Sequence, residues 1–129
     1  MSEVLHDPRW RSAWRLLFLA VVAGASWLAF SPHPPSVADL GWDKANHFAA
    51  FGTLAFIGMQ CFAAGPRRRW IVLAVLLAYG VLIELVQSQI PGRDAEARDV
   101  LADMIGASIG VALHALLVRV ITPRALQAR

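Results

Sequence analysis

His47, Glu84, Gln87 and Asp103 are strongly polar side chains set inside long apolar stretches, and Asp43, Lys44, Arg93 and Asp99 flank them. An ionisable group inside a bilayer is expensive, so each needs a partner, a cation or a proton, and each marks a candidate functional site. The types permit specific chemistry. An imidazole and carboxylates can trade protons or ligate a divalent metal. An arginine presents a planar fork to phosphate or carboxylate. Asp43 and His47 are four apart, Glu84 and Gln87 three, and Asp99 and Asp103 four, so on helices each pair shares a face. The chain has no HExxH, no nucleophile elbow and no phosphate loop. No metal ligand set or cofactor is assigned from these residues alone.

The elements that must position these groups are apolar. The 129 residues are 57% hydrophobic and 16% charged, against about 25% charged for an ordinary soluble domain. Four spans are predicted, at about 10–30, 45–64, 70–90 and 100–121, in one domain over 1–129. About 20 residues cross the hydrocarbon core. Asp7-Pro8 reads as an N-cap with proline at the first helical position. Ser31-Pro32, Gly65-Pro66, Pro91-Gly92 and Thr122-Pro123 end the apolar runs. The expected fold is therefore all-α, an integral membrane four-helix bundle. The net charge of +3 belongs to membrane anchoring rather than nucleic acid. Nine of the twelve basic residues fall in the N-terminal segment, the 67–69 loop and the C-terminal end. The positive-inside rule then puts both termini in the cytoplasm, and 31–44 and 91–99 outside. All eight polar residues come to the outer surface or just below it.

Plainer readings stand beside these. Asp43 and Lys44 could be an interfacial pair, and Asp99 an N-cap for the last span. Glu84 could be a protonated structural group. Asp94, Glu96 and Arg98 read as solvated loop. Gly80, Gly106 and Gly110 read as packing positions that let helices approach closely, and His114 as structural. The lone Cys61 forms no intrachain disulfide framework. Ala23-Gly24-Ala25 offers a signal-peptide alternative for span 1, opposed by the apolar run continuing through Trp27 to Phe30.

Taken in order, Asp43-Lys44-Ala-Asn-His47-Phe48-Ala-Ala-Phe51, Tyr79-Gly80-Val-Leu-Ile-Glu84-Leu-Val-Gln87, Pro91-Gly92-Arg93 and Asp99-Val-Leu-Ala-Asp103-Met-Ile-Gly106-Ala-Ser-Ile-Gly110 resemble the VanZ-like membrane protein family over residues 40–112. The family typically carries Asn where this chain has Asp103. The resemblance implies a multi-pass protein of the bacterial inner membrane, with a cell-envelope role like the low-level teicoplanin resistance of the family's namesake. Three functions fit the residues. The first is an outer-leaflet polar site for a lipid headgroup, cell-wall precursor or amphiphilic glycopeptide. It would be formed by Asp43, Lys44, His47, Glu84, Gln87, Arg93, Asp99 and Asp103. Lys44 and Arg93 would meet anionic groups. The second is a membrane-embedded enzyme, metal-dependent or acid–base, acting on a lipid-linked phosphate or ester. The third is a structural scaffold. Membrane lipids are the expected partners, and the sequence leaves the oligomeric state open.

Overall fold

The computed structural model describes residues 7–33 and 43–121. Among them, a 3-10 turn, Pro8–Trp10, leads into four α-helices: α1 (Arg11–Phe30), α2 (Asp43–Cys61), α3 (Arg68–Gln87) and α4 (Ala97–Ile121). No strand occurs among the described residues. Asp7 caps the opening turn by accepting from the Arg9 backbone N–H at 2.9 Å, as Asp7-Pro8 predicts. Where α1 ends, the Ser31 N–H and hydroxyl both donate to the Trp27 carbonyl, at 3.0 and 2.7 Å. Prolines beyond that point cannot continue the helix.

The helices run up and down. Arg15 near the start of α1 donates to the carbonyl of Cys61 at the end of α2 (3.1 Å), and Ala29 near the end of α1 accepts from Gln87 at the end of α3 (3.0 Å). Lys44 and Asp99, near the starts of α2 and α4, are ion-paired. So α1 and α3 point one way, α2 and α4 the other. The starts of α2 and α4 and the end of α3 meet at one end of the bundle.

Helix edges differ from the expected spans. α2 stops at Cys61, three residues before Ala64, and α3 stops at Gln87, before turns through Gln89 and Ile90. Gly92 sits at φ 82, where a side chain would be strained. α4 begins at Ala97, so Asp99 is not its N-cap but an acidic residue of its first turn. There the helix dipole still favours its charge.

α1, extended by its opening turn, α3 and α4 are long and apolar enough to cross a membrane. Their outer faces carry exposed Leu16, Leu19, Trp27, Leu85, Leu101 and Val120. In water such a surface would drive association; in lipid it is the natural exterior. The less apolar α2 does not meet that standard, and it is also the most enclosed helix. Its exposed described positions are only the small Ala49 and Thr53. Phe51, Leu54, Ala55 and Met59 of α2 join Val72, Leu76 and Ile83 of α3 and Ala107 of α4 in the core. A polar-bearing helix is thus sheltered by three apolar ones.

α2 packs most extensively on α4, and glycines set the approach. A Cβ at Gly106 would lie 2.7 Å from the Phe48 carbonyl oxygen, and one at Gly110 would collide with the Gly52 carbonyl. Close backbone contact is how helices gain dispersion energy where lipid removes the hydrophobic drive.

Candidate functional site

Three helices deliver polar side chains to the end of the bundle where α2 and α4 start. From α2 come Lys44 and His47, one turn apart; from α4, Asp99 and Asp103; from α3, Glu84. Asp103 is fully buried and Asp99 is 2% exposed. A carboxylate buried to this degree needs a charge or hydrogen-bond partner, so what satisfies these two defines the site.

His47 Nδ1 and Asp103 Oδ1 are 2.7 Å apart. The other ring nitrogen, Nε2, faces Asp99 Oδ2 at 3.8 Å. The Lys44 ammonium donates to Asp99 Oδ1 at 2.9 Å and reaches Glu96 at 3.4 Å. The hydrogen bond from Lys44 to Asp99 is the main reason that its ammonium pKa is raised above the usual lysine value. Glu84, nine-tenths buried, accepts the backbone N–H of Glu96 on Oε2 at 2.8 Å. Its Oε1 is buried with no hydrogen-bond partner among the described residues. Gly80, one turn before Glu84, makes room: a Cβ there would lie 2.7 Å from Asp103 Oδ2. One ligand atom each from His47, Glu84 and Asp99 lies within 4.8 Å of the other two. That arrangement is chemically able to exchange protons through the imidazole or to hold a divalent cation.

Of the expected site residues, the structure brings together Lys44, His47, Glu84, Asp99 and Asp103. Gln87 is turned elsewhere. It is buried and donates to the Ala29 carbonyl, tying α3 to α1. Arg93 is half-buried and forms no ion pair among the described residues, and Glu84 takes the Glu96 N–H. The reason is local: the 91–96 loop aims its backbone, rather than its guanidinium, at the carboxylate. The Asp43 side chain lies outside the described residues. Glu96, read from sequence as solvated loop, joins the site twice, by its N–H and by its carboxylate to Lys44. No residue spacing announces a contact made by loop backbone.

Two further polar contacts support the bundle away from the site. The Tyr79 hydroxyl donates to the Val22 carbonyl at 3.2 Å and lies 2.7 Å from the Ser26 hydroxyl, with its ring stacked on Phe51. Toward the opposite end, His114 Nε2 meets Gln60 Nε2 at 2.9 Å, and its ring meets Phe56 edge-on. His114 thus packs α4 on α2, in keeping with a structural role.

A family model described as VanZ/LLP1 matches residues 5–118. No curated protein and no solved structure matches the chain. The chain belongs to the VanZ/LLP1 family.

Proposed function

We propose that this VanZ/LLP1-family membrane protein uses the cluster of Lys44, His47, Glu84, Asp99 and Asp103 as an outer-leaflet site for the polar head of an amphiphile. The amphiphile is a membrane lipid, a lipid-linked cell-envelope precursor or a teicoplanin-like glycopeptide. The observation that carries the reading is the convergence of five titratable side chains from three helices at one end of an apolar bundle. A scaffold needs hydrogen bonds between helices but gains little from burying several charges together. A buried Glu84 oxygen without a hydrogen-bond partner among the described residues is better suited to a ligand than to helix packing.

The pairing pattern refines the ligand chemistry. Lys44 is ion-paired with Asp99 and Glu96, so an anionic headgroup would have to compete with them for it. Half-buried Arg93, in the loop above, is the better group for a phosphate or carboxylate. The carboxylate-rich floor suits hydroxyl and ammonium donors, or a cation that bridges to the headgroup. The bacterial inner membrane, with both termini cytoplasmic, is the setting that makes this end the outer one.

A membrane-embedded enzyme is the second reading, favoured by one contact. Asp103 orients His47 as a carboxylate orients a general base. The binding reading is tested by native mass spectrometry of the full chain released from nanodiscs of mixed phosphatidylglycerol and phosphatidylcholine. Retention of phosphatidylglycerol that Glu84→Gln and Arg93→Lys each reduce supports it. Equal retention in all three proteins removes it.

A further inference from the structure

We infer that His47, Glu84 and Asp99 form a site for a divalent cation of the zinc class, with Asp103 as the positioning residue behind His47. The inference rests on the same cluster as the headgroup reading and names what completes it.

The geometry starts at His47. An ionised carboxylate only accepts hydrogen bonds, so the 2.7 Å contact of Asp103 with Nδ1 puts the ring proton there. In the neutral ring, the form that ligates a metal, Nε2 then turns its lone pair toward Asp99 Oδ2 at 3.8 Å. Their separation is near that of two ligands on one metal, given metal–ligand distances of about 2.0–2.2 Å. A carboxylate on the second nitrogen of a ligating histidine is the usual outer-shell arrangement, fixing the tautomer and raising the basicity of the ring.

Glu84 supplies the independent observation. Its Oε2 is held by the Glu96 N–H, and its Oε1 is buried without a hydrogen-bond partner among the described residues. Donor atoms of Glu84, His47 and Asp99 lie within 4.8 Å of one another. A closing movement of the order of 1 Å, within the reach of side-chain torsions, brings them to tetrahedral ligand spacing. Lys44 occupies Oδ1 of Asp99, and Oδ2 is the oxygen turned to His47. A divalent cation would offset negative charge that Glu84, Glu96, Asp99 and Asp103 bring and that Lys44 alone does not match.

A mixed imidazole and carboxylate set prefers zinc to magnesium or calcium, which favour oxygen ligands. Three protein ligands leave a coordination position open. A headgroup oxygen would take that position.

The test uses the full chain in phosphatidylcholine nanodiscs, dialysed against Zn2+ with excess Mg2+ and measured by elemental analysis. One zinc per chain is expected. Glu84→Gln and Asp99→Asn should each weaken binding at least ten-fold, and Asp103→Asn by about ten-fold. Ser108→Ala, on the exposed side of α4, should leave it unchanged. X-ray absorption at the zinc edge of the wild-type chain should show imidazole scattering, which keeps the test decisive if a variant fails to fold. No bound zinc, no imidazole signal, or equal affinity in folded Glu84→Gln and Asp99→Asn overturns the site. Phosphatidylglycerol retention after EDTA separates the two readings. Retention by a chain that binds no zinc rejects the cation site and keeps the headgroup site. Bound zinc without retained lipid does the reverse.

Discussion

His47 and Asp103 stand 2.7 Å apart across the α2–α4 interface, with the aspartate fully buried. This contact sits one turn above the glycine-lined crossing of the two helices. The same close approach that packs α2 on α4 therefore sets the imidazole. Asp103→Ala should remove both a buried hydrogen bond and the anchor of His47. A loss of about 1–3 kcal/mol is expected from leaving one buried partner unsatisfied. Asp103→Asn keeps an acceptor and should cost less. Melting temperatures in detergent rank the two; equal losses would show that the contact does not hold the helices.

Glycine substitutions should separate by position. Gly106→Leu meets the Phe48 backbone, and Gly110→Ala meets the Gly52 carbonyl. Backbone cannot yield as a side chain can, so each should lower stability by about 1–3 kcal/mol or reduce folded yield. Gly24→Ala in α1 meets nothing within 4 Å. It should be neutral, or stabilise by roughly 0.5–1 kcal/mol through helix propensity. Size-exclusion profiles and melting temperatures of the three variants give the comparison.

The Lys44–Asp99 pair predicts a direction with pH. Lys44 has its pKa raised in the folded protein, chiefly by the hydrogen bond to Asp99. A raised pKa stabilises the fold fully below the unfolded lysine value, about 10.4, and that contribution is lost as pH rises through the higher folded value. Wild type should therefore melt above Lys44→Gln at pH 8, and the gap should shrink in strong alkali. A gap that widens with pH would contradict the pairing.

Orientation is read from charge. With Arg11, Arg15 and Arg67, Arg68 and Arg69 at the end opposite the site, both termini are expected in the cytoplasm. A cysteine at position 95 in a Cys61→Ser background should react with a membrane-impermeant maleimide in intact spheroplasts. Reaction only after permeabilisation would invert the topology.

Much of this arrangement is legible in the residues because lipid restricts the choices. A carboxylate such as Glu84 or Asp103 cannot face hydrocarbon, so apolar runs broken by few polar groups already imply their convergence. Gly106 and Gly110 announce a close crossing, though not that α2 supplies Phe48 and Gly52 to it. The partners of Glu84 and Gln87 are not legible. One depends on where a loop backbone N–H points, the other on how α1 leans against α3. Helix edges at Cys61, Gln87 and Ala97 escape for a related reason: turns and first-turn contacts, rather than proline and glycine positions alone, end the hydrogen-bond ladder. The shelter of α2 by three more apolar helices is a tertiary property that its own composition only hints at.

The central claim, that the buried cluster acts rather than merely packs, is tested most directly at Glu84. Glu84→Gln keeps the volume and the acceptor for the Glu96 N–H but removes the charge. The measurement is complementation of whatever cellular phenotype the deletion strain shows, altered teicoplanin sensitivity being one to assay, alongside the melting temperature of the purified variant. The account predicts a melting temperature close to wild type with loss of complementation. Full complementation by a stably folded Glu84→Gln protein would contradict it and make the cluster a packing device.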